Sequence, residues 1–229
     1  SFSRRDYEYY RPGEAIPSDP RSLMEACDYY YNNLGLVRNI IDLQSDFACQ
    51  GISITSDEPS VQELFQRWFS YVDGRNLSER LLNVFYRLGN SIIQRTWGTM
   101  SATDAAVYRM ARLPVPKVKL PARYNVLDPL QLEVVGETLS QWVDQHEYRI
   151  VIPSQAITLM RKAELTPAER RVISRLPSQI RNAIQAGQRY VELDSSDLRC
   201  FYYKRDSWNA WGRGIIASVL EDLVLLQKT

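Results

Sequence analysis

The sequence predicts an α+β fold, with one mixed or antiparallel sheet flanked by helices. Three observations lead there. Apolar residues recur at helical spacing through the first 88 positions, most clearly at Val61, Leu64, Phe65, Trp68, Phe69 and Val72. The middle is β-rich, with short strand-like runs closed by turn signals such as Asp128-Pro129 and Pro153. Helical patterns return after Thr166-Pro167 and again at Ile216, Val219, Leu220, Leu223 and Val224.

Residues 1–20 read as an extended arm. Pro12, Gly13, Pro17 and Pro20 break any helix, and Tyr7, Tyr9 and Tyr10 give the arm an adhesive, amphipathic surface. Helical sequence begins near Pro20, which suits a first turn. Val37, Ile40, Ile41, Gln44 and Phe47 continue with a helical period, and Gly51 closes the segment. Ile52-Ser53-Ile54-Thr55 alternates like a short strand. The helix over 61–72 ends at Asp73-Gly74, and Trp68 at the centre of its stripe is expected to anchor the core. There a Trp-to-Ala change would cost roughly 3–5 kcal/mol if the ring is fully buried.

Asn76 can cap a further helix, with Glu79 placed as in a capping box and Leu77, Leu81, Val84, Phe85 and Leu88 as its buried stripe. Gly89 stops it, and Ser91–Trp97 continues as a strand. Residues 98–122 contain Gly98, Pro114, Pro116 and Pro121 and read as a mobile insertion with a short helix near Ala102–Ala111. Strands are expected at Tyr124–Pro129, Leu130–Val135, Tyr148–Ile152, Tyr190–Leu193 and Leu198–Tyr203. Helices are expected from Thr166 and from Pro177 to Gly187. By domain, the chain divides into the arm at 1–20, an α+β body at 21–211 containing the 98–122 insertion, and a closing helix at 212–229.

At 229 residues the chain is long enough for one large or two small domains. With 45% apolar and 24% charged residues, its bulk is neither disordered, collagenous nor coiled coil. Lys and Arg total 28 against 27 Asp and Glu, a net charge of +1, unlike the strongly basic footprint of a free-standing DNA-binding domain. The three cysteines, Cys27, Cys49 and Cys200, lack CxxC spacing and are expected to be reduced and in or near a core. No apolar run approaches the roughly 20 residues that cross a bilayer, and no signal peptide is visible. Ser1 at the start and the helical Leu225–Thr229 end, without a stop signal, are expected of a segment of a longer gene product.

Catalytic machinery has little support. The one histidine, His146, reads as a surface or satisfied residue, so neither a Ser-His-Asp triad nor HExxH can be assembled in the usual way. There is no GxxxxGK[ST], GxGxxG or GxSxG. Asp42, Asp46, Asp57, Glu58, Asp194 and Asp197 are scattered, and Asp194–Asp197 reads better as a turn than as metal ligands. No catalytic residue, metal site or cofactor is assigned. Two basic patches stand out: Arg109, Arg112, Lys117, Lys119 and Arg123, and a run of seven bases from Arg161 to Arg189. Either could follow a phosphate backbone without reading sequence; the plainer reading is a solvated helix face or an intersubunit salt-bridge surface. The first, proline-rich patch is the better candidate for a weak, salt-sensitive DNA contact. Of Tyr29, Tyr30 and Tyr31, consecutive on a helix, at least one must face away from its own core; Tyr30 joins Tyr7, Tyr9 and Tyr10 as a candidate assembly contact.

The order of these motifs resembles the portal proteins of tailed bacteriophages. Tyr31–Leu43 (YNNLGLVRNIIDL), with Gly51 after it, looks like that family's opening helix. Phe85–Ile93 (FYRLGNSII) is similar to its helix-to-strand passage, Tyr124–Pro129 (YNVLDP) to its "ldP" strand, and Leu198–Trp211 to its strand and tryptophan loop. Arg213-Gly214 stands where that loop often has proline. The resemblance covers most of 23–229 and implies the wing region, with 212–229 leading toward the stem and cut short; stem, clip and tunnel loop are not recognisable. It implies a homo-oligomeric ring, usually twelve subunits, at one capsid vertex of the virion, assembled in the host cytoplasm. Such a ring passes double-stranded DNA, docks the terminase and the head-tail adaptor, meets the major capsid protein and has no catalytic centre. Readings from other classes are a metal-dependent phage nuclease and a non-specific nucleic-acid-binding accessory protein.

Overall fold

The computed structural model of the protein describes residues 17, 19–50, 52–98, 102–110, 112, 120–142, 146–162, 164–176 and 178–226. Most of the 1–20 arm, including Tyr7, Tyr9 and Tyr10, and much of the 98–122 insertion, including Lys117 and Lys119, lie outside them.

The opening helical segment is two helices. In α1 (Pro20–Asn33), Asp19 accepts from the Ser22 N–H at 2.9 Å and Pro20 fills the first turn. Leu34 then turns to extended backbone (φ −112°, ψ 108°) and α2 (Gly35–Cys49) starts at once. Each helix buries a narrow face: Met24, Cys27 and Tyr30 from α1, and Val37, Ile41, Ser45 and Cys49 from α2. The expected α2 stripe is therefore corrected. Val37 and Ile41 point inward, while Ile40 and Phe47 are exposed, because the helix faces its core at a four-residue spacing that leaves them on the far side.

Residues 52–56 form no strand and pair in no ladder with any other described residue. The α3 helix (Pro59–Tyr71) buries only Leu64, so Trp68 is half-covered rather than the centre of a core. Next comes α4 (Gly74–Leu88), which begins before the expected cap: Asp73 takes a left-handed conformation (φ 52°), and its carboxylate accepts from the Asn76 amide at 2.9 Å. Gly74 sits under the Phe69 ring, where a Cβ would come within 2.3 Å of ring carbons. Gly89 ends α4 at φ 76°.

Six strands among the described residues form two three-stranded antiparallel sheets, not one. β1 (Asn90–Gly98) lies between β2 (Leu120–Leu127) and β6 (Leu198–Tyr202); β4 (Glu147–Val151) lies between β3 (Leu132–Val135) and β5 (Tyr190–Glu192). Two short turns of the same design carry the chain between the sheets. After β2, Asp128 accepts from the Leu130 N–H at 3.0 Å and Pro129–Gln131 make one 3-10 turn into β3. After β5, Asp194 accepts from the Ser196 N–H at 2.9 Å and Ser195–Asp197 make another into β6. The aspartates satisfy backbone N–H groups locally and so end each ladder. This is also why Leu130 and Gln131 are not strand residues.

Helix α5 (Ala102–Met110) falls where a short helix was expected; α6 (Ser154–Arg161) was not foreseen. α7 (Pro167–Arg175) has a full capping box between Thr166 and Glu169, α8 (Ser178–Gln185) stops just before Gly187, and a 3-10 turn at Ile216–Val219 leads into α9 (Leu220–Leu226). One core cluster joins α1, α2, the end of α4, strands of both sheets, Trp211 and the start of α9. A smaller one joins Ile152, Ala183, Ile184 and Val191 beneath α8.

Candidate functional site

Among the described residues, the seam where α4 becomes β1 is tightly constrained. Gly89 adopts φ 76°, and a Cβ there would stand 2.2 Å from the Gly214 nitrogen. Gly212 and Gly214 are equally tight, with backbone oxygens of Gly89 and Arg87 at 2.6 and 2.5 Å from where their Cβ atoms would be. Three glycines let the 203–216 loop lie directly on the end of α4. The next residue, Asn90, is fully buried and uses both ends of its amide. Its Nδ2 donates to the carbonyls of Leu88 at 3.0 Å and Gly212 at 3.1 Å, and its Oδ1 accepts from the Gly212 N–H at 2.7 Å. Backbone bonds from Tyr203 N–H to Gly89 carbonyl (2.9 Å) and Ile215 N–H to Tyr86 carbonyl (3.0 Å) extend the clamp. The loop's Trp211 is buried edge-on against Tyr148, ring centroids 5.8 Å apart, whereas Trp208 is exposed. Gly214 rather than proline is required here, because anything larger collides with the Arg87 carbonyl.

Beside the seam runs an open groove of about 1240 Å³ between α2, α4 and β2. At its centre the Tyr31 hydroxyl donates to Asp42 Oδ1 at 2.7 Å, and the Asn83 amide donates to the same oxygen at 2.8 Å. The Arg87 guanidinium lies over the Tyr31 ring at 4.8 Å and pairs with Asp28 at 3.5 Å. Burial first, then the bond to Asp42, raises the Tyr31 hydroxyl above its usual pKa. Asp42 is thus held by donors from two other helices, a tie between α1, α2 and α4. The described lining contains no His or Cys, and among the described residues no three His, Cys, Asp or Glu side chains gather in a way that could hold a metal ion.

The expected contacts separate. Arg123, exposed on β2, borders the groove. Arg109 lies in the last turn of α5 and Arg112 follows the helix in a left-handed conformation (φ 55°), both exposed and outside the groove lining. In the second patch, Lys162 pairs with Glu169 at 3.0 Å. Tyr30 is not an exposed contact: it is 7% exposed and belongs to the core, while its neighbour Tyr29 is 54% exposed and carries the outward-facing role. His146 is buried at 7% exposure, and burial together with the nearby Arg205 charge holds its imidazole below the usual pKa. Asp197 accepts from the Trp97 indole N–H, and Asp194 is a turn residue, as the sequence indicated. The hydroxyls of buried Tyr148 and half-buried Tyr202 bond each other, and desolvation raises both, Tyr202 to about 12.

The chain matches no protein-family model and no curated protein. No helix among the described residues is long and apolar enough to cross a membrane.

Proposed function

We propose that the chain is a structural subunit of the portal ring of a tailed bacteriophage, the ring through which double-stranded DNA is packaged and ejected and on which terminase and head-tail adaptor dock. One observation carries the reading: the segments that resemble that family meet in one buried assembly. The Gly89–Ile93 passage pairs on one side with the Tyr124–Leu127 strand and on the other with β6, whose following tryptophan loop closes over Gly89. The Tyr31–Leu43 segment ties onto α4 through Asp42 and Asn83. Motifs used in this way build a rigid body, and their polar groups are bonded to one another rather than aimed at a substrate.

The charge balance supports the same reading. A conduit must let DNA slide, so it should avoid strong phosphate contacts, and a net charge of +1 suits that. In this reading the partners are further copies of the chain, usually twelve, together with the major capsid protein, terminase and adaptor, at the portal vertex of the virion. Electron microscopy of the purified full-length protein tests it: closed rings with a central channel are expected. Monomers that cut DNA with Mg²⁺ or Mn²⁺ would replace it with the nuclease reading. Monomers that hold short duplexes with a steep salt slope would replace it with the accessory-protein reading.

A further inference from the structure

The groove beside α4 has one wall made of a strand edge. Seven consecutive residues, Arg123–Pro129, line it. A groove across one face of a sheet would take only alternate residues, because successive side chains point to opposite faces. An unbroken run follows the edge of β2 instead. Among the described residues β2 is the outer strand of its sheet and pairs on one side only, with β1. Its other side carries N–H and C=O groups at ladder spacing, a template for another strand. Edges of this kind are usually guarded by proline, a bulge or lysine. The start of β2 is guarded: Pro121 lies in it, and the register shifts opposite, between Thr96 and Trp97. From Arg123 to Leu127 the register with β1 is unbroken, and no proline or lysine intervenes. A five-residue strand is about 17 Å long and, at strand and sheet spacings, fills roughly 800 Å³ with its side chains. The groove, at about 1240 Å³, has room for it.

The charges of the lining select the occupant. Asp42, Asp46, Asp73, Glu79 and Asp128 outnumber Arg80, Arg87 and Arg123, in a chain whose overall charge is +1. The donors that hold Asp42, Asp73 and Asp128 are neutral, so those charges are not cancelled. Asp46 and Glu79 are exposed and pair with no cation among the described residues, while Arg87 is taken up by Asp28. We propose that the groove takes an extended, lysine- or arginine-bearing segment of a partner protein, which adds to the free edge of β2 as a fourth strand and turns alternate basic side chains toward Asp46 and Glu79. A helix laid in the groove would leave the strand edge unbonded, since its own backbone groups are already paired. An acidic strand would meet the carboxylates of the wall. The inference does not depend on the ring reading, because it concerns what a single copy binds.

The test titrates the full-length chain with a blocked seven-residue peptide of alternating lysine and valine, read by fluorescence anisotropy. Two control peptides differ in one respect each: one has glutamate for lysine, the other is N-methylated at every residue and cannot donate to a ladder. Each control should bind at least about 10-fold more weakly. The double variant Asp46→Asn, Glu79→Gln should weaken the lysine peptide by a similar factor, with an unchanged circular dichroism spectrum. Hydrogen exchange on the unaltered chain gives a readout that needs no variant: amides within 123–127 that are not bonded to β1 should become protected when the lysine peptide is bound. No binding at about 1 mM peptide overturns the inference. So does binding that leaves exchange across 123–127 unchanged, that tolerates full N-methylation, or that keeps its strength in the double variant.

Discussion

Asn90 is the residue on which most of the seam depends, and its surroundings explain why it is neither Asp nor Leu. A carboxylate could accept from Gly212 but could not donate to the two carbonyls, and a leucine could do neither. Asn90→Ala should cost about 3 kcal/mol, since it leaves several buried backbone groups without partners, and should lower the melting temperature by about 6–12 °C. Circular dichroism melts read this directly. His146 sets an acid-side slope. Its folded pKa lies below the 6.5 of a free histidine, so its contribution is full above that pH and is lost as pH falls through the lower folded value. His146→Gln should therefore flatten the fall in melting temperature between pH 7.5 and 5.5. On the alkaline side the sign reverses. Burial pushes Tyr202 up to about 12 in the fold against 10.0 for a free tyrosine, so stability present below pH 10 should decline as pH rises toward 12. A tyrosinate absorbance titration should show a late, cooperative step together with unfolding; smooth ionisation of every tyrosine near pH 10 would contradict the burial of the Tyr148–Tyr202 pair.

The elements show which parts of the fold were legible. Strands β1, β2, β4, β5 and β6 fell within a few residues of where their alternation and closing turns placed them, because those signals are local. The break at Leu34 was not legible: no Gly or Pro precedes it, and Gly35 after it opens α2 rather than closing α1 in a left-handed cap. The strand expected at 52–55 fails because alternation alone gives it no neighbour to pair with. The α3 helix shows the limit of periodicity, which finds a face but not what covers it. Trp68→Ala should accordingly cost about 1–2 kcal/mol, through its loss of the Tyr124 contact, rather than the cost of a buried tryptophan. Leu88→Ala, in a fully buried position, should cost about 3 kcal/mol. Matched thermal melts of the two variants check the order, and a larger loss for Trp68 would mean that its face is buried in the folded chain.

For the molecule as a whole, the aspartate turns at Asp128 and Asp194 divide one expected sheet into two that share a core. Each had been visible as a turn, but whether a turn keeps the chain in its sheet or lifts it into another is decided by tertiary packing. The candidate site was legible in part: the Gly89-Asn90 step and the tryptophan loop stood out as motifs, while the bonds between them span 122 positions and could not be read from spacing. The claim that unites these features is that the chain is a rigid building block of a closed ring. Native mass spectrometry of the full-length protein tests it most directly. The account predicts one dominant species whose mass is a fixed whole-number multiple of the subunit, usually twelvefold, and which persists on dilution. A monomer at every concentration would contradict it.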